Sequence, residues 1–247
     1  MKGRTIILAG GSGGLGAVLA DFLAQRGARP ILGCFRNVDR AREIASDIES
    51  RHGVSVSVVV GDVLQEETRV RLMDEASSLG PLYGLVPLVG EPARVPIEEA
   101  TEEDLLAATR INFVAPVLLA RDFTARIGRG DASIVFVSTM QAVGIFPGST
   151  TYAAPKAALI HAARILAHQW GGSHGVRVNV VAPGVTTSGM AEKSVASGKY
   201  NPFIERGVIT RFGDPLDVAR AIGLFLEPDN YVTGQVLTVD GGLTARK

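Results

Sequence analysis

Short runs of β-branched and apolar residues alternate along this chain with longer stretches whose apolar positions recur every three or four residues. TIILA precedes GLGAVLADFLAQRG, PILGCF precedes VDRAREIASDIESRHG, and VSVSVVV precedes EETRVRLMDEASSLG. The short runs predict strands and the longer, 3.6-period stretches predict amphipathic helices. The alternation continues through LYGLVPLV, helical stretches around 102–109 and 112–128, SIVFVS, a helix beginning near Tyr152, VRVNVVAP and QVLTVDGG. Such a series predicts an α/β fold: a doubly wound, mainly parallel sheet with helices on both faces.

No repeat, low-complexity run or polar linker interrupts the pattern, so the 247 residues read as a single domain. Periodicity weakens only between Pro183 and Pro215, which predicts a substrate lid over 186–212, or else a disordered excursion. Charge then narrows the partner. Twenty-five lysines and arginines balance 25 aspartates and glutamates, without the positive field of a nucleic-acid binder, so a small molecule is the expected partner. Cys34 is the single cysteine, which excludes an internal disulfide and fits a reducing cytoplasm. No stretch approaches the roughly 20 apolar residues of a membrane span, and no secretory signal is read.

The first predicted strand runs into GGSGGLG, and strand, glycines and helix in that order make a Rossmann-type dinucleotide turn. Gly10 permits the tight turn, Gly14 lets the backbone approach a pyrophosphate, and Gly16 lets the helix pack closely. The spacing is GxxxGxG, with three residues in its first gap where GxGxxG has one, so the motif is one residue longer overall. Asp62, after VSVSVVVG, stands where it can hold the adenine amino group, or cap a turn. At the end of the second strand, ILGCFRNVDR offers Arg36 for a 2′-phosphate where an acid would favour the free ribose, which predicts NADP(H) rather than NAD(H), with Arg40 as a helper or a solvated helix residue.

Tyr152 and Lys156 are four apart and share a helix face. A nearby ammonium lowers a tyrosine pKa and fits the phenol for acid–base work. Pro155 places the helix start close by, and GSTT supplies N-cap hydroxyls.

The glycine turn, Asp62, Asn112, the paired hydroxyls Ser138 and Thr139, and Tyr152 with Lys156 occur in one order along nearly the whole chain, which resembles the short-chain dehydrogenase/reductase family. AGGSGGLG, YAAPKAAL, VRVNVVAPG and RFGDPLDVARAIGLFL through YVTGQVLTVDGG are most similar to 3-oxoacyl-acyl carrier protein reductases. The resemblance implies an oxidoreductase that moves hydride between nicotinamide and a carbonyl or alcohol, with a 3-oxoacyl thioester and its carrier protein as candidates. It implies a catalytic tetrad of Asn112, Thr139, Tyr152 and Lys156, Thr139 standing thirteen residues before the tyrosine where the family has serine. It implies cofactor contacts from Gly10, Ser12, Gly14, Leu15, Gly16, Arg36, Asp62, Val63, Gly90, Tyr152, Lys156, Pro183, Gly184, Val185 and Ser188. A homotetramer built on the C-terminal strand and the two helices after the fourth strand is also implied.

The chain departs from the family pattern in three places. Pro87, Leu88 and Val89 precede Gly90 where the family carries Asn-Asn-Ala, which removes supporting amides and puts proline in a central strand; weaker nicotinamide binding is expected. Gly13 replaces a basic residue, and Thr139 adds a methyl to the catalytic hydroxyl. A cofactor-binding regulator with little turnover and an NAD(H)-linked alcohol dehydrogenase are the alternatives. Val143, Ile145, Phe146, Val185, Met190 and Phe203 are candidates for an apolar acyl pocket, or plain core or oligomer contacts. Arg121, Arg126 and Arg129 form a candidate carrier-protein patch, or a solvated helix face. No histidine is assigned to a metal.

Overall fold

The computed structural model describes residues 1–93 and 95–246, without the side chain of Lys193. Seven parallel strands form one sheet: β1 (Thr5–Ala9), β2 (Arg29–Cys34), β3 (Ser57–Val60), β4 (Leu82–Pro87), β5 (Ala132–Val137), β6 (Val176–Pro183) and β7 (Val236–Val239), in the order β3-β2-β1-β4-β5-β6-β7. The helices are α1 (Gly14–Ala24), α2 (Val38–His52), α3 (Glu66–Leu79), α4 (Glu102–Thr109), α5 (Ala115–Ile127), α6 (Thr150–His174), α7 (Glu192–Ala196), α8 (Asn201–Glu205), α9 (Pro215–Leu226) and α10 (Leu243–Arg246).

Successive strand residues point to opposite faces, and the sequence loads both. Ile7, Ile31, Leu85 and Ile134 pack against Leu72, Phe123 and Leu159 from α3, α5 and α6. Their neighbours Ile6, Leu32, Val86 and Val135 pack against Leu19, Leu23, Ile222 and Phe225 from α1 and α9. Continuous apolar runs such as TIILA are therefore what a sheet covered on both sides requires.

Pro87 is accommodated at the end of β4. Parallel strands turn alternate residues to alternate neighbours, and Leu88 N donates to Ala9 O on β1 at 2.7 Å, so residue 87 turns toward β5. The β4–β5 pairing registers only Gly84 with Ser133 and Leu85 with Ile134, so it has ended before the proline. Leu88 and Val89 then pack into the cores on opposite faces.

The two helices expected after β4 are joined by a π-helical turn, Arg110–Val114, which carries the buried Asn112. The weakly patterned stretch is also ordered into short pieces, a 3₁₀ turn at Gly189–Ala191 followed by α7 and α8. A bridge between Thr186 and Gly213 closes its base.

Helices α1 and α9 meet at Gly223, where a Cβ would lie 2.5 Å from Cε1 of Phe22. Arg26 covers that ring at 3.6 Å, so it has little room to retreat. Overpacking outweighs the helix-propensity gain, and Gly223→Ala is expected to lose about 1–2 kcal/mol of stability. Thermal denaturation checks this; a midpoint equal to or above that of the parent would contradict it.

Candidate active site

A cleft of about 490 Å³ opens along the C-terminal ends of the central strands, on both sides of the point where strand order reverses at β1 and β4. Gly14, Leu15, Gly16, Gly90, Thr139, Tyr152, Lys156, Pro183, Gly184, Val185 and Ser188 line it. Gly10, Ser12, Arg36, Asp62 and Val63 lie beyond its lining, on the segments that follow β1, β2 and β3.

Gly10 has φ +99°, and a Cβ there would sit 3.0 Å from the carbonyl carbon of Leu88. At Gly16 a Cβ would meet Gly11 Cα at 2.7 Å, so close helix packing accounts for that glycine. Helix α1 begins at Gly14 with Gly13 as its N-cap, no side-chain capping bond and no acid in its first turn. Its opening N–H groups are thus left for an anion, and this end fits a dinucleotide pyrophosphate.

Asn112, Lys156 and Gly90 converge from three elements. A methyl on Gly90 would lie 2.8 Å from Asn112 Oδ1 and 3.3 Å from Lys156 Nζ. Asn112 accepts from Glu91 N at 3.2 Å and donates to Glu91 O at 3.0 Å and Ala108 O at 3.1 Å. The buried Lys156 donates from Nζ to Val137 O at 2.9 Å, while its own carbonyl accepts from Ser138 Oγ at 2.9 Å. Two bonds therefore join α6 to the end of β5. Strand alternation turns Thr139 the other way, where its hydroxyl faces the Tyr152 phenol across the cleft and accepts from Gln141 N at 3.3 Å. The two adjacent hydroxyls are divided between the helix backbone and the phenol.

Two expectations about α6 change. Ser149 is the N-cap residue but donates its hydroxyl to Phe146 O at 2.7 Å and makes no capping bond. Pro155 sits deeper in the helix than its first turn, removing one intrahelical N–H.

The phenol also differs from expectation. Burial pushes Tyr152 up to about 12, against the lowering effect of the Thr139 hydroxyl, and burial pushes Lys156 down to about 8. The lysine is directed at Val137 O, so desolvation governs both groups. The expected lowering of the phenol by its ammonium is not found.

Other candidates separate. The sulfur of Met190 lies 4.0 Å from the Tyr152 hydroxyl, and Met190 and Val185 line the cleft. Phe146 and Phe203 stand behind that lining, in one cluster with Val185, Met140, Ile209 and Leu243, whereas Val143 and Ile145 are exposed. Asp62 accepts from Leu64 N at 2.9 Å, as a turn cap would. The buried Arg69 holds this loop through Val63 O and Leu64 O, and pairs with Asp122 at 2.6 Å. Arg36 lies 3.9 Å from Glu91, and Arg40 is exposed. Arg121 pairs with Asp122, Arg126 with Asp74, and Arg129 donates to Ser173 O, so the proposed basic patch is internally engaged. Ser149 also lines the cleft, and so do Gln141, Ser194, Lys199 and Tyr200, which no periodicity or motif in the sequence marks.

Lys156 gives a pH prediction. Its folded pKa, about 8, lies below the ordinary 10.5, so the charged form is penalised only in the folded protein. The penalty is complete below pH 8 and is relieved as pH rises toward 10.5. Wild-type stability minus that of Lys156→Met should therefore increase between pH 8 and about pH 10 in chemical denaturation, the subtraction cancelling groups common to both. A flat difference would contradict a desolvated ammonium.

The family model described as Enoyl-(Acyl carrier protein) reductase matches residues 9–244. A tropinone reductase homolog of Arabidopsis thaliana is 33% identical over 99% of this chain and 80% of its own. Gluconate 5-dehydrogenase of Gluconobacter oxydans is 31% identical over 99% of this chain and 96% of its own. A short-chain type dehydrogenase/reductase from Mycobacterium ulcerans superposes with a TM-score of 0.92 at 25% identity, covering 100% of this chain and 92% of that one. With relatives of this identity and coverage along almost its entire length, the chain belongs to the short-chain dehydrogenase/reductase family of oxidoreductases.

Proposed function

We propose that the protein is an NADP(H)-dependent reductase of small carbonyl compounds, working through Asn112, Thr139, Tyr152 and Lys156. The observation that carries this reading is the Thr139–Tyr152 hydroxyl pair in the cleft beside the buried Lys156. The nicotinamide supplies the hydride. The open N–H groups of α1 and the bare backbone at Gly13 and Gly14 hold the pyrophosphate. Thr139 donates a hydrogen bond to the substrate oxygen, and Tyr152 delivers a proton to it. A phenol at about 12 is protonated at neutral pH, the form that reduction needs. Lys156 holds the ribose and returns a proton toward Tyr152, and Asn112 keeps Gly90 and Glu91 in place beside it.

Arg36 supports NADP(H) through its exposed guanidinium at the end of β2; an NADH preference of the protein would replace that reading with the NAD(H)-linked one. The stretch 186–212 is the proposed lid, with Met190 over the phenol as its support. A 3-oxoacyl thioester on a carrier protein is the second reading, to which the matching enoyl-(acyl carrier protein) reductase model lends support for the carrier alone. The engaged state of Arg121, Arg126 and Arg129 makes the free small molecule the first. A homotetramer is supported by the exposed Leu106 on α4 and Tyr231 before β7. A cytoplasmic setting is inferred from the single buried thiol, Cys34.

Replacing Tyr152 by phenylalanine should lower kcat by about 100-fold or more, with NADPH affinity changed little. Steady-state kinetics on a carbonyl that the parent reduces, paired with cofactor titration, measures both. Unchanged turnover would remove the proposed acid.

A further inference from the structure

Arg36 follows β2 and Glu91 follows β4, and β1 with its glycine turn runs between those strands. Neighbouring strands are about 4.8 Å apart, so the ends of β2 and β4 are separated by about 10 Å, and only long side chains can meet across the turn. These two do, with the Arg36 guanidinium 3.9 Å from the Glu91 carboxylate. The backbone of Glu91 is held in both directions by the buried Asn112, which fixes where its carboxylate starts. The pair itself is loose: the side chains are 76% and 61% exposed, so it opens at little cost.

We propose that Glu91 is a cofactor-selecting residue that competes with a ribose 2′-phosphate for Arg36. This rests on the nicotinamide reading above and deepens it. A dinucleotide in the crevice at the strand ends must run past the bridge. A 2′-phosphate has to displace the Glu91 carboxylate from Arg36 and then remain beside that negative charge. A free 2′-hydroxyl meets neither obstacle. Arg36 thus favours NADPH while Glu91 moderates that preference, leaving NADH as a usable second cofactor.

Calorimetric titration of the full chain with NADPH and NADH tests the proposal. In Glu91→Gln, which keeps the side-chain shape, the ratio of Kd for NADH to Kd for NADPH should rise about threefold to tenfold at low ionic strength, chiefly through tighter NADPH, and the rise should shrink as salt is added. In the Arg36→Gln background the same substitution should change the ratio less, because the competition has been removed. An unchanged ratio in Glu91→Gln would overturn the proposal while leaving the oxidoreductase reading intact. Parallel weakening of both cofactors would overturn it in favour of a structural role. A parent protein that binds neither cofactor would overturn the nicotinamide reading itself, and this proposal with it.

Discussion

The buried ammonium of Lys156 is the constraint on which the site depends. A desolvated positive charge is costly, and no carboxylate in the described structure pairs with it; its Nζ donates instead to the carbonyl of Val137. Satisfying it brings the second turn of α6 against the end of β5, and the Ser138 hydroxyl fastens the same seam from the other side. With that seam closed, strand alternation leaves Thr139 facing Tyr152. The position of the hydroxyl proposed to work with the phenol is thus a consequence of how the helix is anchored.

The parallel sheet supplies the second half of the account. All its strands release their chains toward the same edge, and the order reverses at β1, so the loops after β1 and β4 diverge to opposite faces and leave a crevice. The glycine turn floors one side. Gly90 floors the other, bare enough for Asn112 and Lys156 to approach together. The apolar segment Pro87–Val89 is compatible with this because β4 has already parted from β5, and its side chains contribute to both cores.

Most of the scaffold was legible in the sequence. The strand runs and amphipathic stretches correspond to the observed elements because a sheet buried on both faces and helices buried on one leave different periodicities. An ordered motif singled out Asn112, Thr139, Tyr152 and Lys156 as candidates, and the period of a strand accounts for Thr139 rather than Ser138 facing the phenol. Illegible were features set by tertiary approach. Ser149 looked like a cap and instead closes a turn on Phe146. Phe146 and Phe203 looked like pocket walls and instead stand behind the wall, in the apolar cluster that backs Val185 and Met140. The Tyr152 phenol is governed by desolvation, which no spacing encodes. Glu91 escaped notice because only the fold brings it to Arg36, and a lone glutamate after a glycine carries no pattern.

The division of labour between the two hydroxyls is the central claim, and turnover of Thr139→Val compared with Ser138→Ala tests it most directly. Valine keeps the branched shape without the hydroxyl, so kcat should fall by about 100-fold while the folded protein remains stable. Ser138→Ala should lose stability by about 1–2 kcal/mol, from the lost buried bond to the Lys156 carbonyl, while its folded fraction retains most of the turnover. The reverse outcome, a catalytically silent Thr139→Val and an inactive but stable Ser138→Ala, would contradict the account.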